Sequence, residues 1–99
     1  MSANLTHTVI FACDAGMGSS AMGATILRNK LKAAGIEGVT VVNKAVADLQ
    51  SDAEFVISHE GLTDRARHNA PDAIHVSVQN FMATPKYDEV VETLRAQRA

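Results

Sequence analysis

An apolar run that leads into a glycine-containing turn, and from there into a helical pattern, constrains the fold of this chain more than any other feature. Residues Val9–Cys13 are apolar and partly β-branched, and they predict a buried strand. Ser19 and Ser20 precede apolar residues spaced three and four apart, which predicts the start of a helix. Cys13, the only cysteine, therefore lies where a strand ends and a helix follows. Helix N-termini bind anions and stabilise thiolates, so we expect a nucleophilic thiol beside an anion-binding loop; a buried core cysteine is the alternative.

Strands and helices alternate along the rest of the chain. The predicted elements are, in order, a strand at 9–13, a helix at 20–34 capped by Gly35, strands at 39–42 and 55–58, a helix at 62–69, a strand at 74–76 or 74–78, and a helix from 84–85 onward. Residues 44–52 are ambiguous, with a helical turn at 45–49 as one solution. The alternation predicts an α/β fold with a parallel sheet and right-handed crossovers. Ligands of such sheets bind beyond the carboxyl ends of the strands, where we expect Cys13, Asn43, His59 and Ser77.

Length, charge and cysteine content exclude several classes of protein. The 99 residues suffice for one domain with a modest core, and a net charge of −2 gives no basic surface for nucleic acid. One cysteine excludes an internal disulfide and favours a reducing compartment. No apolar run approaches the roughly 20 residues of a membrane span, and residues 1–7 lack the features of a signal peptide. We therefore expect a cytoplasmic protein without direct membrane insertion. Because the histidines lack metal-ligand spacing, we expect no metal site. We also expect no cofactor.

Three known phosphate-binding motifs fit the loop after Cys13 poorly. Residues 16–21 satisfy the dinucleotide pattern G-x-G-x-x-A, but Asn43 stands where the acidic residue that binds ribose is required. The Gly-Lys-Ser/Thr of a nucleotide P-loop is missing. Cysteine-dependent phosphatases and arsenate reductases need an arginine six residues after the cysteine, where this chain has Ser19, and the first cationic residue after Cys13 is Arg28. The loop thus offers only neutral donors, which suits a phosphoryl carrier better than a hydrolase.

Residues 13–24, CDAGMGSSAMGA, closely resemble the phosphorylation-site loop of mannitol-type enzyme IIB. These are units of the bacterial phosphoenolpyruvate-dependent sugar phosphotransferase system (PTS). The stretch VISHEGLTDRA at 56–66 and the segment around Asn80 and Phe81 are similar to the same family. The likeness covers essentially the whole chain and implies a single PTS EIIB type-2 (mannitol-type) domain over residues 1–99. It also implies a three-layer α/β/α fold, Rossmann-like, with a four-stranded parallel sheet that resembles low-molecular-weight tyrosine phosphatase.

The resemblance further implies phosphotransferase activity through S-phosphocysteine. Cys13 would accept a phosphoryl group from phosphohistidine of a IIA partner and pass it to mannitol bound by the membrane IIC part, giving mannitol 1-phosphate. The chain would then be peripheral to the inner membrane through IIC. The phosphoryl-binding loop implied by the resemblance comprises Asp14, Ala15, Gly16, Met17, Gly18, Ser19 and Ser20. His59 is a candidate for supporting the phosphoryl group, with a surface histidine as the alternative. Two other functions stay open, namely a regulatory or interaction module with the IIB fold and a small thiol-dependent phosphatase.

Charged and methionine side chains near the loop admit more than one role. Asp14 would disfavour a thiolate if it pointed inward, so we expect it to face solvent or a partner. Met17 and Met22 are either an adaptable rim for docking or ordinary core residues. Basic side chains on the helices are expected to be mostly solvated, and these are Arg28, Lys30, Lys32, Arg65 and Arg67.

Overall fold

The computed structural model describes residues 6–14, 19–81 and 85–98. Within these ranges, four parallel strands form a sheet with the order β2-β1-β3-β4. The strands are β1 (Thr8–Cys13), β2 (Thr40–Ala45), β3 (Phe55–His59) and β4 (Ile74–Val78). The two central strands, β1 and β3, are nearly continuous apolar runs because helices cover both of their faces.

Three helices flank the sheet in the described part of the chain. They are α1 (Ser19–Ala33), α2 (Thr63–Asn69) and α3 (Lys86–Arg98), and a 3₁₀ turn at Val46–Asp48 follows β2. Helix α1 is capped as predicted by Gly35, which adopts a left-handed conformation with a φ of +74°. The N–H of Ile36 donates to Leu31 and that of Gly35 donates to Lys32, so two carbonyl groups at the helix end are satisfied.

Side chains from the two faces of the sheet form two separate cores, which gives the three layers. Helices α1 and α3 cover one face and α2 with the 3₁₀ turn covers the other. The core under α1 and α3 contains Val9, Phe11, Ala24, Leu27, Leu31, Val41, Phe55, Ile57, Val78, Phe81, Tyr87, Val90, Val91 and Leu94. The smaller core under α2 contains Ile10, Ala12, Val46, Leu49, Val56, Ala66 and Ala70. The predicted α/β/α fold with a four-stranded parallel sheet is confirmed.

Most element boundaries agree with the sequence prediction to within one residue, and the larger differences lie around the end of β2 and at the start of α3. Strand β2 does not end at Asn43 but continues to Ala45, because Lys44 and Ala45 still pair with β1. The ambiguous segment after it forms a single 3₁₀ turn. Helix α3 begins at Lys86, directly after Pro85, and the predicted cap at Thr84 lies outside the described residues.

Glu54 organises the edge of the sheet at which the strands begin. Its Oε1 accepts hydrogen bonds from the backbone N–H groups of His7 and Thr8, at 3.0 and 2.9 Å. Its Oε2 lies 3.2 Å from Nδ1 of His7. Partial burial raises the pKa of Glu54, but the hydrogen bonds from His7 and Thr8 and the charge of His7 outweigh it, so the pKa lies below its usual value.

The start of the described chain is also tied to the end of α3. The backbone N–H of Thr6 donates to Oε1 of Gln97 at 2.8 Å, and Nη2 of Arg98 donates to the carbonyl of Thr6 at 2.6 Å. Residues more than ninety positions apart are therefore in direct contact at the edge opposite to Cys13.

Candidate functional site

The carboxyl end of β1 lies where the chain changes direction across the sheet. From β1 the chain crosses to β2 on one side and then returns to β3 on the other side. In open α/β sheets the crevice beyond the strands at this point is the usual ligand site. Cys13 is the last residue of β1 and His59 is the last residue of β3. Because Ala12 pairs with Ser58, Cys13 and His59 lie side by side one position further along.

The Cys13 side chain lies on the face of the sheet that α1 and α3 cover, since it alternates with Val9 and Phe11. It is 7% exposed, and its Sγ donates a weak hydrogen bond to the carbonyl oxygen of Lys44 at 3.9 Å. A thiolate cannot donate this bond. Ionisation of Cys13 would therefore favour rotation of the sulfur away from the Lys44 carbonyl.

A hydrogen bond joins the carboxyl end of β2 to the first turn of α1. Nδ2 of Asn43 donates to Oγ of Ser20 at 3.0 Å, and Ser20 is fully buried. This contact holds the start of α1 in place at the last residue of the predicted phosphoryl-binding loop. The sequence placed Asn43 at this edge, but nothing in the local pattern could reveal its partner 23 residues away.

His59 shapes the turn between β3 and α2. Its Nδ1 accepts a hydrogen bond from the backbone N–H of Gly61 at 3.1 Å, and its carbonyl accepts one from the N–H of Leu62 at 2.8 Å. Because Nδ1 is an acceptor, Nε2 carries the proton in the neutral ring. His59 therefore has a local structural role and also holds an N–H donor at the edge where Cys13 lies.

A cluster of hydroxyl groups supports this edge from the α2 side. Oγ1 of Thr63 lies 3.0 Å from Oγ of Ser58, 3.0 Å from Oγ of Ser77 and 3.1 Å from the His59 carbonyl. These contacts fasten α2 to β3 and β4. Ser77 lies at the predicted edge, but its side chain is on the opposite face of the sheet from Cys13.

Helix α1 approaches α3 closely at Gly23, one turn after the start of the helix. The Tyr87 hydroxyl donates to the Phe81 carbonyl at 2.6 Å, and the Tyr87 and Phe11 rings pack edge to face with centroids 5.7 Å apart. Burial raises the pKa of Tyr87 to about 12. A Cβ at position 23 would lie 2.5 Å from the Tyr87 hydroxyl oxygen, so only glycine leaves room for this packing.

Asp14 and Arg65 form an ion pair beside Cys13. Asp14 is exposed, and its Oδ1 lies 3.7 Å from Nη1 of Arg65 in α2. The expectation that Arg65 merely extends into solvent is therefore incomplete. Sequence reasoning missed this cation because it was sought only within the loop that follows the cysteine.

The structure also defines the surroundings of Arg28, Lys30 and Met22. Arg28 donates to the Val41 carbonyl at 2.7 Å and Lys30 pairs with Asp88 at 2.9 Å, so these two basic side chains have partners besides water. Met22 is 52% exposed, which makes it a surface residue of α1 and not a core residue.

The predicted loop is only partly described. Ala15, Gly16, Met17 and Gly18 lie outside the described residues, and Ser19 is the first residue of α1. Among residues 6–14, 19–81 and 85–98, no cluster of three or more His, Cys, Asp or Glu side chains is arranged to hold a metal ion. In the same part of the chain, no helix has the length and apolar character needed to cross a membrane.

Comparison with known proteins agrees with this geometry. The family model described as PTS system, Lactose/Cellobiose specific IIB subunit matches residues 8–93, from β1 into α3. The chain belongs to the PTS IIB family. The match includes Cys13 and the strand ends around it, and the prediction of a IIB unit from the loop sequence is thereby confirmed.

Curated relatives of the chain carry mannitol-specific names. A protein of Staphylococcus saprophyticus named PTS system mannitol-specific EIICB component is 61% identical over 87 residues, which cover 88% of this chain and 17% of that protein. Proteins of the same name from Bacillus subtilis and Geobacillus stearothermophilus are 55% and 56% identical, over 96% and 88% of this chain and 20% and 18% of their own lengths. The chain thus spans about a fifth of the length of these relatives.

Proposed function

We propose that this chain is a phosphoryl carrier of the sugar phosphotransferase system, with Cys13 as the residue that is phosphorylated. The observation that carries the proposal is the position of Cys13 at the carboxyl end of the central strand β1, at the point where the chain reverses across the sheet. Membership of the IIB family supports the same assignment. Because the relatives are named mannitol-specific, we propose mannitol as the final acceptor.

The reaction consists of two in-line transfers at phosphorus. In the first, the Cys13 thiolate attacks the phosphorus of a phosphohistidine on a IIA partner, so that an S–P bond forms, the P–N bond breaks and the imidazole leaves. In the second, a hydroxyl of mannitol bound to a membrane IIC part attacks the same phosphorus. The S–P bond breaks, the thiolate is regenerated, and the hydroxyl proton passes to a base on the acceptor side or to water.

The protein contributes positioning and neutral hydrogen-bond donors to these steps. We assign the phosphoryl oxygens to backbone N–H groups of residues 15–20, the stretch that leads into α1, with the Ser20 hydroxyl as a further donor. Asn43 fixes Ser20 through its hydrogen bond. His59 lies beside Cys13, and we assign its Nε2–H as an additional donor to the phosphoryl group.

The loop after Cys13 disfavours hydrolysis of a phosphorylated cysteine. A thiol-dependent phosphatase holds phosphate with an arginine six residues after the cysteine, and this chain has Ser19 there. A loop without that guanidinium retains a phosphoryl group but lacks the strongest stabiliser of the charge that develops on hydrolysis.

With membrane contact made through IIC, the chain would act at the cytoplasmic face of the inner membrane.

Intact-mass spectrometry tests the proposal. After incubation with phosphoenolpyruvate, the upstream relay proteins and a IIA protein, the chain should gain the mass of one phosphoryl group, and Cys13→Ser should gain none. Thr25→Ala, on the exposed side of α1, should be phosphorylated like the wild type. A mass gain that persists in Cys13→Ser would refute Cys13 as the carrier.

Acceptor identity needs a separate assay. Membranes that contain a mannitol IIC part without its own IIB should form mannitol 1-phosphate only when the phosphorylated chain is added. Phosphorylation of Cys13 without transfer to mannitol would favour another sugar or a regulatory module. Turnover of p-nitrophenyl phosphate would instead favour a phosphatase.

A further inference from the structure

The residue that follows Cys13 places a negative charge next to the reactive sulfur. Asp14 continues directly from β1, and its side chain is 84% exposed. An unpaired carboxylate at this position would repel an anionic phosphoryl group as it approaches Cys13. Any carrier function of Cys13 therefore has to operate beside this charge.

Arg65 supplies the opposite charge from a different part of the fold. Its Nη1 lies 3.7 Å from Oδ1 of Asp14, and its side chain is 59% exposed. Exposed pairs of this kind contribute little to the free energy of unfolding. The main effect of the pair is consequently on the electrostatic potential at the carboxyl end of β1. Lys44 on β2 and Glu60 after β3 also lie at this edge and carry opposite signs, and Nζ of Lys86 donates to the Ser77 carbonyl on β4.

We propose that Arg65 is a positioning residue for phosphoryl transfer at Cys13. By pairing with Asp14 it cancels the carboxylate charge beside the sulfur and holds the carboxylate on the α2 side of the sheet. An anionic reactant then approaches Cys13 without net repulsion from the neighbouring residue. This inference rests on the proposed carrier function, and it predicts which groups govern the approach of anions to the thiol.

Alkylation with a charged and an uncharged reagent tests the electrostatic part without any partner protein. Iodoacetate is an anion and iodoacetamide is neutral. The rate of alkylation of Cys13 by iodoacetate divided by its rate with iodoacetamide therefore does not depend on the reactivity and accessibility of the sulfur. Arg65→Gln should lower this ratio about two- to tenfold, as expected for loss of one nearby unit charge in a partly screened setting. Arg65→Lys should stay close to the wild type, and Arg65→Gln combined with Asp14→Asn should restore the ratio.

A matched control lies two residues further along the same helix. Arg67 forms a longer ion pair, at 4.0 Å, with Asp64 of the same helix, and its side chain is similarly exposed, at 61%. Arg67→Gln removes the same charge and should leave the ratio unchanged. An unchanged ratio in Arg65→Gln, or an equal fall in both variants, would overturn the proposal.

Phosphorylation by a IIA protein then tests the consequence for transfer. The rate for Arg65→Gln should fall by more than the alkylation ratio does, because a phosphoryl group carries more negative charge than iodoacetate. Addition of Asp14→Asn should restore it. If the double variant stays as slow as Arg65→Gln, Arg65 contacts the donor protein directly and the proposal is wrong. Failure of the carrier function itself would appear differently, as no phosphorylation of the wild type alongside an intact alkylation effect.

Discussion

Substitution of Gly23 by alanine should destabilise the protein, although alanine normally strengthens a helix. In an exposed helix the change from glycine to alanine stabilises by about 1 kcal/mol. Gly23 differs from a glycine in an exposed helix, because α1 packs against Tyr87 and Phe11 at this position. A Cβ would lie 2.5 Å from the Tyr87 hydroxyl oxygen, 3.0 Å from Cε2 of Phe11 and 3.1 Å from Cβ of Phe81. All three neighbours belong to the core and cannot simply move away.

The expected cost follows from these contacts. Insertion of a methyl group into a packed core costs about 1–3 kcal/mol. Displacement of the Tyr87 hydroxyl also weakens its buried hydrogen bond to Phe81, which is worth about 1 kcal/mol. After subtraction of the gain in helix propensity, we expect Gly23→Ala to lower the free energy of unfolding by about 1–3 kcal/mol.

Urea denaturation followed by circular dichroism measures this change as a shift of the midpoint at constant slope. Thr25→Ala in the same helix, on its exposed side, controls for helix propensity and should be neutral or slightly stabilising. Tyr87→Phe removes the nearest atom, so Gly23→Ala should cost at least about 1 kcal/mol less in that background. The reasoning is refuted if Gly23→Ala stabilises the protein, or if the two changes are simply additive.

Three further predictions concern polar side chains that form hydrogen bonds within the fold. Tyr87 is the only tyrosine and the chain has no tryptophan, so phenolate absorbance should report a midpoint near pH 12 in the folded protein and near pH 10 in urea. Since the pKa of Tyr87 is raised in the folded state, the free energy of unfolding should fall between about pH 10 and pH 12. Tyr87→Phe should lessen that fall. Glu54→Gln should be less stable than the wild type at neutral pH, with a gap that closes on acidification through the lowered pKa of Glu54, as urea titrations at several pH values would show. Asn43→Ala should lower the free energy of unfolding by about 1 kcal/mol in the same assay. Ser20→Ala should lower it by less in the Asn43→Ala background than alone, because both substitutions remove the same hydrogen bond.

The sequence predicted the order of elements because the hydrophobic periodicity of this chain is regular. The stripe of Tyr87, Val90, Val91 and Leu94 lies on α3 as predicted, and all four residues are buried. The end of β2 was harder to predict, because Asn43 and Lys44 are polar and interrupt the apolar run of the strand. Its strand conformation comes from pairing with Ala12 of β1, which is a tertiary interaction.

Long-range pairs at the site could not be predicted from local patterns. Asn43 with Ser20, and Arg65 with Asp14, join residues from different elements, and no spacing rule connects them. The position of Cys13 was different, because the strand and helix signals that flank it are strong and adjacent in sequence. The position of Cys13 at the end of β1 was therefore predictable, while its neighbours from other elements depended on the packing of α1 and α2.

The contacts among Thr6, Gln97 and Arg98 bring both ends of the described chain to one pole of the molecule. Strand β1 runs from that pole to Cys13 over about 17 Å, the length of its extended backbone. A tether attached before residue 6 or after residue 98 would therefore leave from the pole remote from the sulfur. Fusion to a neighbouring domain on either side would leave the Cys13 end of the sheet pointing away from the junction.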